Sequence, residues 1–274
     1  MRLAAAVNLA KAWLLVLILA ALFGSIGWAI GGYRTASLFV FCALLATLAV
    51  YAYADRALLG MLGARPYALA EDPRLRSTVD TLSAKLGVVP PNLYLIVDGF
   101  PRAFVAGRGP RGSALAVSTG LLVALPPAEL EGVLAHELAH VRSRDVLVQT
   151  FATMLAVVLV ELSRIGGFLE RALLALLGPV AAAFVHLLLS PKREYAADRA
   201  AAAACGTPHG LADGLLRLDS ASELVSFSAN PATEPLYTVN PFAVEGLAAL
   251  FVTHPPVADR AARLRALESV STAP

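Results

Sequence analysis

Ala12–Ile30 and Ala36–Ala54 contain no charged residue, and only Gly31-Gly32-Tyr33-Arg34-Thr35 separates them. Wound as α-helices at about 1.5 Å per residue, both runs come close to the roughly 30 Å hydrocarbon thickness of a bilayer. A chain that opens this way is expected to fold around a membrane hairpin. A cleaved signal peptide fits less well, because the first run exceeds the usual apolar core of about 7–15 residues and a second run follows at once. Composition agrees: 15% of residues are charged and 58% hydrophobic, against about 25% charged in a soluble domain. Arg2 and Lys11 precede the hairpin, Arg34 lies within it, and Arg56, Arg65, Arg74 and Arg76 follow. The positive-inside bias then places the N-terminus and everything after Ala54 on the cytoplasmic side of a cell (plasma or inner) membrane, in a multi-pass protein. A net charge of +2 and the lack of a basic run interleaved with aromatics argue against nucleic acid as a partner.

From Asp55 the charge returns. Leu75, Val79, Leu82 and Leu86 mark one face of a helix opened by Asp72-Pro73 and closed by Gly87. Asn92–Val97, Ala103–Ala106 and Ala114–Ser118 read as short strands, the last two joined by a glycine-rich turn, Gly107 to Gly112. Pro126-Pro127, with Glu129 and Glu131, starts another helix. Val146–Leu162 and Ala172–Leu189 are apolar again, and a second membrane hairpin is expected there, with a helical pair buried in protein as the alternative. Glu161 and His186 inside these runs read as packing or near-interface residues. Lys192 and Arg193 follow as cytoplasmic anchors. Ala221–Ala249 reads as irregular, and a last helix covers Val257–Leu267. The expected fold class is therefore α+β, mostly α. The expected segments are a hairpin over 1–54, a first catalytic part over 55–145, a second hairpin over 146–189 and a second catalytic part over 190–274. Cys42 and Cys205 have no C-x-x-C spacing and read as free thiols.

The chemistry is concentrated in V-L-A-H-E-L-A-H-V-R-S-R-D, Val133 to Asp145. On a helix, His136 and His140 project from one face a turn apart, the spacing for two nitrogen ligands on one Zn²⁺. Glu137, beside the first ligand, can take a proton from a water activated by the metal. A catalytic zinc keeps three protein ligands, and Glu194 is the best third candidate, since the second hairpin would return it to the same membrane surface as His140. Asp198, one turn on, could accept a hydrogen bond from a ligand histidine. Taken alone, Glu194 and Asp198 read rather as a solvated acidic face beside Lys192, Arg193 and Arg199; H-E-x-x-H upstream favours Glu194 as a ligand. His254, before Pro255-Pro256, and Arg260 could supply a donor to the oxyanion of an attacked amide, or be a loop histidine and a surface arginine.

In this order the chain resembles the HtpX group of membrane-bound zinc endopeptidases, gluzincins related to the CAAX prenyl endopeptidases. The resemblance rests on the two opening spans, A-L-A-V-S-T-G-L-L (Ala114–Leu122), L-A-H-E-L-A-H with Asp145, a further apolar pair, R-E-Y-A-A-D, and L-F-V-T-H-P-P with Arg260. It implies one Zn²⁺ per chain on His136, His140 and Glu194, Glu137 as general base, and roles near the transition state for His254 and Arg260. P-R-A-F-V-A-G stands where the group has P-N-A-F-A-T-G, an edge strand, here Ala103, Phe104, Val105, Ala106 and Gly107, that would bind extended substrate. Arg102 replaces the asparagine of that pattern. The resemblance further implies unfolded or misfolded membrane proteins as substrates, with the lipid bilayer as surroundings. The competing reading without catalysis is a zinc-binding scaffold or stress sensor, although structural zinc sites are usually closed and cysteine-rich. An H-E-x-x-H inside the bilayer is disfavoured by the crowd of Arg142, Arg144 and Asp145 around it.

Overall fold

The computed structural model describes residues 2–68, 73–109, 111–164, 170–224, 230–242 and 246–271. Asp72, Pro110, the Gly166-Gly167 linker, residues 225–229 and residues 243–245, all within segments read from sequence, lie outside the described residues.

Helix α1 (Arg2–Met61) is two arms and not one rod. Gly31 (φ −154°) and Gly32 (φ 68°, ψ −155°) leave helical geometry. A Cβ on Gly27 would fall 2.7 Å from the Ala36 backbone, and one on Gly24 would fall 3.0 Å from Val40. In an unbroken helix residues 27 and 36 would stand about 13 Å apart along the axis. The arms therefore fold back antiparallel, as a hairpin. Their outer faces expose Trp13, Leu17, Trp28, Ile30 and Phe41, surface that water would penalise and lipid accepts. Residues Val16–Met61 of α1 and helix α6 (Glu170–Leu188) are long and apolar enough to cross a membrane. Helices α4 (Pro127–Ser143) and α5 (Asp145–Arg164) qualify only as a pair bent by 93°.

After α1 comes a four-stranded sheet, β1 (Ala64–Pro66), β2 (Asn92–Ile96), β3 (Ala103–Gly107) and β4 (Ser113–Ser118), in the order β1-β2-β4-β3. β2 and β4 are parallel; β1 and β3 are antiparallel edges. The period of two along β3 and β4 divides the core. Ala103, Val105, Leu115 and Val117 face Leu75, Val79, Leu82 and Leu86 of α2 (Pro73–Leu86) and Leu134 and Leu138 of α4. Phe104, Ala106, Ala114 and Ala116 face Leu58, Leu59 and Leu62 at the end of α1. Both faces are covered, so both strands read as near-continuous apolar runs.

A short α3 (Thr119–Ala124), capped by Ser118, leads into α4. Helices α7 (Lys192–Cys205) and α8 (His209–Leu224) pack on α4. The α4–α8 crossing is so close that a Cβ on Gly132 would meet Leu211 N at 2.5 Å and one on Gly210 would meet Ala128 O at 2.3 Å. After α8 come the 3₁₀ turn Pro231–Leu236, a short α9 (Gly246–Ala249) and α10 (Val257–Ser271). The second apolar pair is α5 and α6, packed on each other and on α1. One face of α5 is inside the protein, with Val148, Gln149, Thr150, Ala152 and Thr153 buried, so it serves the site as well as the apolar layer. His186 meets the Leu250 carbonyl at 2.9 Å, and Glu161 accepts from Asn230 at 2.6 Å; both hold packed neighbours together. Cys42 and Cys205 are free thiols.

Candidate active site and metal centre

Helix α4 carries His136, Glu137 and His140 on its buried face. The two imidazoles meet edge to face, with their Nε2 atoms 3.3 Å apart. The helix stops at Arg144, which adopts the left-handed conformation (φ 63°), and the chain turns sharply into α5. That corner returns Asp145 to the site, its Oδ2 3.5 Å from His140 Nδ1. From α7, Glu194 Oε2 reaches within 3.3 Å of His136 Nε2, and Oε1 within 3.6 Å of His140 Nε2. Asp198, a turn later, places Oδ1 2.9 Å from His136 Nδ1. An ionised carboxylate only accepts, so His136 carries its proton on Nδ1 and turns the Nε2 lone pair toward Glu194.

Three potential ligand atoms, one each from His136, His140 and Glu194, lie within 4.8 Å of one another. Glu194 is wholly buried, and neither of its oxygens has a hydrogen bond of good geometry. Arg193 Nε stands 3.2 Å from Oε1 and offsets part of this buried charge, while both oxygens still turn toward the imidazole nitrogens, where a further cation would meet them. Two imidazole nitrogens and one carboxylate oxygen are a donor set suited to zinc. The residues present fit the ion.

Glu137 bridges α4 to the sheet. Its Oε2 accepts from Val105 N–H at 3.1 Å, and its Oε1 accepts from Thr238 Oγ1 at 2.7 Å. Burial raises its carboxyl above the ordinary range, against the opposing pull of His136 and His140. His254 arrives from the loop before α10, with Nε2 3.6 Å from Glu194 Oε2 and Nδ1 2.9 Å from Glu234 Oε1. Arg260, fully buried on α10, makes a two-pronged pair with Asp198 at 2.7 and 2.9 Å and donates to the Thr238 carbonyl at 2.6 Å. Burial alone would raise the Asp198 carboxyl, but the Arg260 guanidinium and the His136 ring outweigh it and hold the group at about 2. Arg260 thus braces the far side of His136, 3.9 Å from Glu194 Oε2.

Ala103 to Gly107 form an edge strand, as expected, but its outer side is engaged. Val105 N–H goes to Glu137, Gly107 N–H to Thr150 Oγ1 at 3.0 Å, and the Ala103 carbonyl accepts from Thr238 at 3.4 Å. Arg102 turns away to Asp98, 2.7 Å distant. One expectation is corrected. Arg193 is not a membrane-surface anchor: its side chain is 9% exposed, with Nε 3.2 Å from Glu194 Oε1 and Nη1 donating to Gln149. Sequence reasoning also missed Thr238, Glu234 and Thr150. The polar break made by Gln149 in an apolar run was the one available signal.

Residues 69–268 match the pattern of Peptidase family M48. The chain belongs to this family. It is 41% identical over 278 residues to a Protease HtpX homolog of Pelotomaculum thermopropionicum, covering 95% of this chain and 99% of that relative. A Protease HtpX homolog of Acidiphilium cryptum is 42% identical over 275 residues, covering 94% and 96%. The crystal structure of S. mikatae Ste24p is similar over 93% of this chain and 66% of that one, with 18% identity and a TM-score of 0.49. As an M48 peptidase, the chain is a membrane metalloprotease with its zinc site at His136, His140 and Glu194.

Proposed function

We propose that the chain is an endopeptidase of the cytoplasmic membrane face that degrades unfolded or misfolded membrane proteins. The observation that carries this reading is the 3.1 Å hydrogen bond from Val105 N–H to Glu137. It sets the base directly against the outward-facing backbone of an edge strand. A peptide paired along β3 would be held mainly by main-chain groups, which suits unfolded chains of many sequences.

Zinc supplies Lewis-acid activation of water and of the scissile carbonyl. Glu137 takes the proton from the attacking water and passes it to the leaving amine. To do so it exchanges its bonds to Val105 and Thr238 for substrate, and a peptide paired along β3 likewise displaces Thr150 from Gly107 N–H and Thr238 from the Ala103 carbonyl. Asp198 fixes the His136 tautomer, and Arg260 holds Asp198. His254 presents Nε2 on the open side of Glu194, where it can donate to the developing oxyanion. Ala103 to Gly107 align the substrate. The chain is read as two membrane hairpins, 1–54 and 146–189, interleaved with the catalytic parts 55–145 and 190–274. The positive-inside pattern turns the latter to the cytoplasm.

The test is reconstitution in vesicles with a membrane protein in its folded form and in a destabilised variant. Cleavage of the destabilised form at least tenfold faster, by sites on the face carrying Arg56 and Arg76, is the expected result. Equal cleavage of both forms refutes the quality-control role. Zinc binding with no cleavage of any unfolded chain favours the scaffold reading.

A further inference from the structure

Glu234 sits in the Pro231–Leu236 turn and is completely buried. Three donors from two adjacent residues converge on its carboxylate. They are Thr253 N–H at 3.2 Å, Thr253 Oγ1 at 2.9 Å and His254 Nδ1 at 2.9 Å. An ionised carboxylate cannot donate, so the proton in the last contact belongs to Nδ1. The other edge of the ring, Nε2, is thereby aimed at Glu194, 3.6 Å away.

We propose that Glu234 is a positioning residue that acts through His254, fixing the plane of the ring so that Nε2 is presented to the zinc centre. This rests on the role given to His254 above. Both partners stand on stiff supports. The turn is closed by Asn230, which accepts from Ala232 N–H at 2.9 Å and from Thr233 Oγ1 at 2.7 Å, and it contains Pro231 and Pro235. His254 is followed by Pro255-Pro256, whose fixed φ angles limit the loop. The two Thr253 bonds would suffice to anchor that loop. The bond to the ring adds orientation, and placing a reacting group ahead of the reaction is worth rate and not affinity.

The test is a cycle of four zinc-loaded proteins in detergent: wild type, Glu234→Gln, His254→Ala and the double variant. Each is measured for kcat and KM on an unfolded protein substrate, zinc content and melting temperature. Glu234→Gln is expected to lower kcat about 10- to 100-fold, the usual effect of removing a partner that orients a site histidine. KM should stay within about twofold, with zinc content and melting temperature unchanged. In the His254→Ala background the same substitution should cost nothing further, because a residue acting through His254 has nothing left to orient. Should Glu234→Gln not fold, Glu234→Asp is used in its place and must show the same dependence on His254. Wild-type kcat in the variant, or an equal loss with and without His254, overturns the inference while the functional reading stands. A wild type that does not cleave overturns both.

Discussion

Arg260→Met strips the buried Asp198 carboxylate of its two-pronged partner and leaves the Thr238 carbonyl without its 2.6 Å donor. The pair is almost wholly dry, with side-chain exposures of 0% and 4%. Breaking such a pair by removing one partner costs about 3–5 kcal/mol, because an uncompensated charge stays buried. At about 1.4 kcal/mol per tenfold, this is roughly two to four orders of magnitude in the folded-to-unfolded ratio. Methionine fills the volume, so little of the loss is a cavity. The second substitution Asp198→Asn removes the stranded charge, and the double variant is expected to recover more than half of the loss. The pair also has a pH signature. The Asp198 carboxyl is held at about 2, below its ordinary 3.8, so its contribution is complete above about pH 4 and is lost as pH falls through 2. Pulse proteolysis across a urea series, on zinc-loaded protein in detergent, reads the folded fraction. A cost below about 1 kcal/mol for Arg260→Met, or a double variant as unstable as the sum of the singles, would refute the reasoning.

Three further outcomes follow from the site and its supports. Glu194→Gln should abolish stoichiometric zinc binding, read by metal analysis after dialysis, whereas Glu137→Gln should leave about one ion bound, since Glu137 is bonded to Val105 and Thr238 and not set among the ligands. Gly132→Ala should destabilise by about 1–3 kcal/mol, because its Cβ would stand 2.5 Å from the Leu211 backbone nitrogen and push α8 off α4; an unchanged urea midpoint contradicts the close crossing. If β3 reads peptide backbone, substrates N-methylated at alternate positions should lose affinity at least tenfold in one register and little in the other. Equal loss in both registers argues against strand pairing.

The metal helix was legible because His136, Glu137 and His140 lie on one element, where spacing alone determines which side chains share a face. The α2 face was legible for the same reason: Leu75, Val79, Leu82 and Leu86 are all buried. Strand β1 escaped notice because three residues ending in Pro66 carry no periodic signal. The braces around the site were out of reach for a different reason. Thr238 meets Glu137 across 101 residues of sequence, and Thr150 meets Gly107 across 43. Such contacts arise from packing, and no local pattern encodes them. Arg193 was misread because a cation after an apolar run looks like a snorkelling anchor, whereas its partner Gln149 lies 44 residues upstream on α5.

The central claim, that this buried cluster is a working zinc-dependent peptidase site with Glu137 as its base, is tested most directly by metal restoration. Wild type and Glu137→Gln are purified under chelation, given Zn²⁺, and followed for cleavage of an unfolded protein such as casein, with bound zinc measured in each. Cleavage restored only in wild type, with about one ion bound per chain in both, is the predicted result. Equal cleavage by Glu137→Gln, or no zinc held by either protein, would contradict the account.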